Sequence, residues 1–423
     1  MELNGAKILF DGSKLEELHI RGIKHYSISL INAYNKLGVD ISVLVSKYPL
    51  KTIINTDAST IFQKKSFWNS LKFSSPLLLK AIFGISGSAD LIHILKDMNL
   101  PEDFAFLNDA NIYLSPECYR IAKKLRLLGL KLTIAPKPKV DIWHTAYWTP
   151  IKIKGAIRVS TIHDIIFLNN PIIKKSFKNS RFYKNIFAQR VRDTIHDSNM
   201  VLCDSEQTKK ELIYLLDVNP DKLFVNYPPV VFKDNVIPQD TLLNRLMSFD
   251  LKYGQYILFI GTALHKNLKR LVEAYLSLSI DIPLVIIGKP KSAYIFVELN
   301  KAIFDKRIRI LDYVSEADKY VLYKGAMFLA FPSLYEGCGY PPIEAMSVGV
   351  PVLTSSVSCM PEVSGDAALY VDPYDVKDIV NKITMMINDK ELRQRLIEAG
   401  YERAKFFSMD NFKKGLKTAY SKL

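Results

Sequence analysis

Short β-branched and aliphatic runs alternate along this chain with longer segments whose apolar residues recur at helical spacing. In the first half the runs are AKILFDG, VDISVLVS, NIYLS, VDIWHT, IRVSTIHD and MVLCDS; in the second they are QYILFIGT, IPLVIIGK, IRILDYV, MFLAFP, VPVLTS and ALYVDP. Apolar runs of this kind, separated by helix-like segments, predict parallel sheets with crossover helices. Between the halves, NYPPVVFKDNVIPQD carries proline and aspartate and reads as a linker. The expected fold class is therefore α/β, with two Rossmann-like doubly wound domains over residues 1–235 and 236–404. In residues 405–423, Phe and Tyr recur at roughly helical spacing between lysines, which predicts a terminal helix packed back on the first domain.

Length agrees with two domains, since 423 residues exceed the roughly 250–300 at which single cores stop growing. A cleft between the domains is the natural place for a ligand. A composition of 48% hydrophobic and 24% charged residues excludes a disordered or fibrous chain. Cys118, Cys203, Cys338 and Cys359 are scattered, without CxxC spacing or a Cys/His cluster, so neither a disulfide framework nor a structural zinc is expected.

The opening MELNGAKILFDG lacks a secretory pattern and reads as a first strand, so a cytoplasmic location is expected. The nearest approach to a spanning segment, SPLLLKAIFGISGSADLIHIL, is broken by Lys80, Asp90 and His93. The net charge of +14 favours an anionic partner: nucleic acid, an anionic membrane or a phosphorylated substrate. No zinc finger, RNP-like aromatic pair or compact basic recognition helix supports the first. Lys123, Lys124 and Arg126, and Lys174, Lys175, Arg181 and Lys184, mark basic segments that either rest on an anionic inner membrane face or are solvated helix faces.

Ligands of open α/β sheets sit beyond the carboxyl ends of the strands. After MFLAFPS comes LYEGCGYPPIEAMSVGVPVLTS, in which Glu336 and Glu344 stand eight positions apart. Pro341 and Pro342 suit the first turn of a helix and Gly349 its end, which puts Glu336 in the loop and Glu344 in the early helix. Gly337 and Gly339 allow close backbone approach, and the helix N-terminus suits an anion. A ligand with diols at both ends and phosphate between, such as a nucleotide sugar, would use all three features; the alternative is that both glutamates are solvated surface acids.

After QYILFIGT, Lys266 is either a diphosphate contact or an ordinary surface lysine, Asn267 is a candidate helix cap, and Lys269 and Arg270 read as a solvated face. After IRVSTI come His163 and Asp164, and His144 ends VDIWHT in the same way. Each histidine is either a structural residue or a contact for a sugar hydroxyl. No metal-ligand spacing is found, so no metal site is expected. The segment GIKHYSISLINAYNKLG predicts a helix from Gly22 to Gly38, and the absence of GxGxxG argues against a dinucleotide oxidoreductase.

The block FPSLYEGCGYPPIEAMSVGVPVLTSSVSCMPEVSGDAALYVDP resembles the E-x7-E region of the retaining GT-B glycosyltransferases of family 4. GIKHYSISLINAYNKLG, DIWHTAYWTP, VSTIHDIIF, CDSEQTKKEL, YILFIGTALHKNLKRLVEAY and DYVSEADKYVLYKGA extend the resemblance in the family's order. It implies two domains across a cleft and a hexosyltransferase, with Glu336 and His163 at the donor sugar, Glu344 on the nucleotide ribose and Lys266 on the diphosphate. Backbone amides of Gly337, Cys338 and Gly339 would hold sugar or phosphate oxygens, and Gly22, Asp164, His265, Tyr313, Val314 and Tyr340 would complete the substrate site.

By the same resemblance the donor is GDP-mannose, with UDP- or ADP-sugars as alternatives. The acceptor is a lipid-linked glycan of cell-surface polysaccharide synthesis, and neither metal nor cofactor is needed. Transfer proceeds by front-face attack or double displacement. Three departures stand out: His265 replaces an arginine, Cys338 a phenylalanine, and Lys24 a glycine in a loop that closes over the substrates. A non-catalytic nucleotide-sugar or glycan-binding protein is the competing class, against which the retained Glu336, Glu344, Lys266 and His163 speak.

Overall fold

The computed structural model describes residues 1–15, 22–46, 92–93, 107, 110–115, 118–169, 180–230, 237–289 and 307–423. Lys80, Asp90, Lys174 and Lys175 lie outside the described residues.

The first half contains β1 (Lys7–Asp11), β2 (Asp40–Val45), β3 (Ile92–His93), β4 (Asn111–Leu114), β5 (Leu132–Ile134), β6 (Ile142–Thr145), β7 (Ile151–Ile153), β8 (Ile157–Ile162), β9 (Met200–Cys203) and β10 (Leu223–Val225). Eight of these form one sheet in the order β10-β9-β8-β6-β1-β2-β4-β3, parallel except for the short β3. β5 and β7 pair separately. The second half contains β11 (Ile257–Ile260), β12 (Leu284–Ile287), β13 (Ile308–Leu311), β14 (Phe328–Phe331), β15 (Val352–Ser355) and β16 (Ala368–Val371), in the order β13-β12-β11-β14-β15-β16.

Every apolar run picked from the sequence is a strand, and the chain is two doubly wound α/β domains. The runs lack polar alternation because helices cover both faces of each sheet. Ile8, Phe10, Ile41 and Val43 pack on one side of the first sheet, while Leu9, Leu44 and Trp143 pack on the other. In the second sheet Leu258, Val285 and Phe331 face Ile343 and Met346, whereas Phe259, Ile286 and Phe328 face Leu271 and Ile379.

In the second domain the chain winds outward one way from β11 and the other way from β14, and these two strands are hydrogen-bonded neighbours. Their diverging loops leave a crevice at the carboxyl end, the switch point where doubly wound sheets bind ligands.

The long helix Lys390–Phe406 packs on the second domain, with Gly400 against Met346. The chain then crosses over. Phe412, Leu416, Ala419 and Tyr420 of the helix Met409–Tyr420 enter the core containing Tyr26, Leu30 and Tyr34 of the helix Gly22–Lys36. Tyr420 shares a buried network with Tyr34 and His144, whose Nδ1 lies 2.6 Å from the Tyr34 hydroxyl and whose Nε2 lies 2.9 Å from Thr161 Oγ1. Of the two alternatives open for His144, the structural one therefore holds. Burial and the neighbouring His163 push it down to about 3, so it is neutral.

Two further expectations change. Lys24 is buried in the first turn of the helix Gly22–Lys36 rather than standing in a closing loop. Asn267 occupies the N-cap position of the helix Leu268–Leu276, but its side chain caps nothing. It donates instead to the carbonyls of Pro332 at 3.0 Å and Pro373 at 2.7 Å, tying together the loops after β14 and β16. Among the described residues no helix is long and apolar enough to cross a membrane.

Candidate active site

Glu336, Lys266, Glu344, Gly337, Cys338, Gly339 and Tyr340 of the second domain face Gly22, His163 and Asp164 of the first across one cleft. His265 adjoins it, with Nε2 3.9 Å from Glu336 Oε1. Tyr313 and Val314 do not line it: Tyr313 is exposed, and Val314 packs against the second domain's core.

The loops after β11 and β14 are stapled together. His265 O accepts from Leu334 N at 2.7 Å and from Ser333 Oγ at 3.0 Å. This brings Lys266 Nζ to 3.0 Å from Glu336 Oε1, which also accepts from Ser333 Oγ at 2.9 Å. The lysine stem lies against Gly261, where a Cβ would stand 2.4 Å from Lys266 Cδ, so this turn requires glycine. The ammonium sits 4.6 Å above the Phe331 ring.

Burial alone would raise the Glu336 carboxyl. Lys266, and then His265, outweigh it and hold the group below its ordinary value. His265 is itself lowered by burial, against the pull of Glu336, so at neutral pH it supplies no fixed charge where the resembling family has arginine.

Pro341 and Pro342 fill the first turn of the helix Tyr340–Ser347, which Gly339 opens with φ +74°. Glu344, one turn in, is buried. Its Oε1 accepts from Lys319 Nζ at 2.6 Å and its Oε2 from the Tyr323 hydroxyl at 2.6 Å. Burial opposes its ionisation, but these partners hold it below the ordinary carboxylate value. Both oxygens already have protein partners, so a ribose would add to this arrangement or displace part of it.

His163 ends β8. Its Nδ1 lies 2.6 Å from Asp204 Oδ2 and its Nε2 3.0 Å from Ala146 O. A carboxylate and a carbonyl only accept, so both ring nitrogens must donate and the ring is an imidazolium. Burial works against that charge, but Asp204 outweighs it and raises the pKa. His163 thus spends both N–H groups on the protein, and would hydrogen-bond a sugar only by releasing one. Asp164, at the same strand end, is raised by burial.

The two walls meet at Gly337. A Cβ there would stand 2.0 Å from His163 O, and Ser205 Oγ donates to Gly337 O at 2.6 Å. Glu362 extends the junction by accepting from Glu206 N at 2.6 Å and Gln207 N at 2.9 Å, the first amides of the helix Glu206–Leu216.

Sequence reasoning missed Asp204, Lys319, Tyr323 and Ser333. Asp204 follows the run MVLC as His163 follows IRVSTI, so the strand-end rule that selected one selects the other. Lys319 and Tyr323 share a helix with no feature in the sequence that ties them to Glu344.

A family model described as "Glycosyl transferases group 1" matches residues 251–403. The O-antigen chain mannosyltransferase B of Escherichia coli is 30% identical over 274 residues, covering 63% of this chain and 70% of that one. The O-antigen chain mannosyltransferase RfbU of Salmonella typhimurium is 26% identical over 56% of this chain and 68% of that one. Among solved structures, sucrose-phosphate synthase from Thermosynechococcus elongatus superposes over 98% of both chains with a TM-score of 0.67 at 14% identity, a likeness of fold.

Proposed function

The chain belongs to the glycosyl transferases group 1 family, and from that premise we propose that it is a retaining hexosyltransferase moving mannose from GDP-mannose onto a glycan acceptor in cell-surface polysaccharide synthesis. The observation that carries the reading is the meeting of Lys266 and Glu336 at the switch point, 3.0 Å apart and opposite His163 across the cleft. A nucleotide sugar is anionic at its middle and hydroxylated at its ends. Lys266 and the backbone amides of Gly337, Cys338 and Gly339, in the loop before the two prolines, suit the first property, and the carboxylates of Glu336 and Glu344 suit the second. The names of the two O-antigen relatives support mannose as the sugar.

In this reading the acceptor hydroxyl attacks the anomeric carbon on the face from which the diphosphate departs, and its proton passes to the leaving phosphate. Negative charge grows on the diphosphate as the bond breaks, and a cation already in place stabilises that state more than the ground state. Lys266 takes this part, so the reaction proceeds without a metal or cofactor. Glu336, held ionised, steadies the sugar hydroxyls and the positive charge that develops on the ring. Leu127 and Leu128 are exposed beside Lys123 and Lys124, which supports peripheral contact with an anionic membrane carrying the acceptor.

The test is a thermal-shift panel of GDP, UDP, ADP and their sugar conjugates. A ligand at 100 times its Kd stabilises the native state by about 2.7 kcal/mol, and we expect the GDP compounds to raise the melting temperature. A shift from UDP compounds alone would overturn the guanosine donor, and no shift from any of them would overturn the glycosyltransferase reading of the cleft.

A further inference from the structure

Two buried polar atoms on opposite walls of the cleft have no hydrogen-bond partner in the protein: Asp204 Oδ1 and the Tyr340 hydroxyl. Both residues line the cleft. Asp204 follows β9 in the first domain and is 2% exposed, while Tyr340 begins the helix Tyr340–Ser347 in the second. Buried polar atoms are paired in the great majority of cases, and a carboxylate oxygen is among the most costly to leave dry.

The chemistry of these two atoms restricts what can pair with them. Asp204 Oδ2 is held by His163 Nδ1 at 2.6 Å, so the imidazolium and the carboxylate neutralise each other. Oδ1 can only accept, whereas a phenol both donates and accepts. One hydroxyl group can donate to Asp204 and accept from Tyr340 with a single oxygen. The diphosphate of a nucleotide sugar, esterified at both ends, has no proton to donate at neutral pH and would face the carboxylates of Asp204, Asp164 and Glu336, which line the same cleft.

We propose that Asp204 and Tyr340 form a hydroxyl-binding subsite that grips the sugar of the nucleotide sugar from both domains at once. Asp204 Oδ1 accepts from a sugar hydroxyl to which the Tyr340 phenol donates. The proposal rests on the nucleotide-sugar reading above and adds to Glu336 two further residues that recognise the sugar rather than the nucleotide.

Tyr340→Phe tests it cleanly, because the oxygen removed bonds nothing in the protein and the variant should melt at or above the wild-type temperature. Isothermal titration of both proteins would use the pairs GDP with GDP-mannose and UDP with UDP-glucose. For the pair that the wild type binds, the variant should keep its affinity for the bare nucleotide and lose about five- to tenfold for the conjugate. Asp204→Asn, checked for folding by its melt, should lose at least as much on the conjugate alone.

Unchanged conjugate affinity in Tyr340→Phe would overturn the subsite. So would an equal loss on nucleotide and conjugate, or a defect confined to the KM for acceptor. A wild type that binds neither pair would instead sink the nucleotide-sugar reading and the subsite with it.

Discussion

Replacing Lys266 by methionine keeps the stem over Phe331 and removes the charge beside Glu336. In the wild type the two side chains are 19% and 12% exposed and 3.0 Å apart. Without the ammonium, Glu336 keeps the Ser333 hydroxyl and the neutral His265. Removing one member of a fully buried pair costs about 3–5 kcal/mol. Partial solvent access to both side chains reduces the expectation to about 2 kcal/mol, or roughly 4–8 °C for a domain of this size.

The pH dependence identifies the cause. Glu336 is held below its ordinary value of 4.5, so its contribution to stability is present above that pH and is lost as pH falls through the folded-state value. In Lys266→Met burial dominates, the carboxyl rises, and ionisation at neutral pH then works against folding. The gap between wild type and variant should therefore be widest near neutrality and narrow toward pH 4.5, in thermal melts followed by circular dichroism. A gap of constant size would refute the electrostatic account and assign the loss to packing against Gly261 and Phe331.

Asp204→Asn should show the opposite slope. His163 titrates above its ordinary value of 6.5, so its stabilisation is complete below that pH and is lost as pH rises through the raised value. The gap, about 1.5–3 kcal/mol for a charged hydrogen bond, should be widest near pH 5.5 and smaller at pH 8.5, and a gap that grows with pH would show that His163 is not cationic. Gly337→Ala places a Cβ 2.0 Å from His163 O, a backbone atom that cannot swing aside, so the walls must part. Misplacement on that scale should lower kcat/KM for transfer about a hundredfold while circular dichroism is retained, and near-normal turnover would show that the walls need not meet at this point.

The fold was legible wherever a strand is covered on both faces, because an unbroken apolar run then survives in the sequence. β5, β7 and β10 are each three residues long, and β3 two, too short to carry such a signature. The loops bearing Glu336, Lys266 and His163 were legible because each follows a strand. What those side chains touch was not. Glu344 finds Lys319 and Tyr323 only because two helices separated in sequence lie side by side, and His163 finds Asp204 across 41 positions. The strand-end rule left His144 open between a structural and a sugar-binding residue, since it cannot tell a side chain turned into the cleft from one taken up by Tyr34, Tyr420 and Thr161.

The site's charges are arranged in matched pairs: Lys266 with Glu336, Lys319 with Glu344, and His163 with Asp204. Among the described residues the net charge of +14 is therefore not concentrated in the cleft, and an incoming diphosphate meets no ready-made positive pocket there. In the proposed reading a diphosphate that binds Lys266 draws that ammonium away from Glu336, leaving a buried carboxylate with Ser333 and the neutral His265, 3.9 Å away. A bare nucleotide bears that cost uncompensated. A nucleotide that carries a sugar brings hydroxyl donors to the same carboxylate as its phosphates take the lysine, so one exchange satisfies both ends. On the proposed assignment, pairing Lys266 with Glu336 before anything binds makes the two halves of the donor cooperate, and the sugar becomes a condition for holding the diphosphate well.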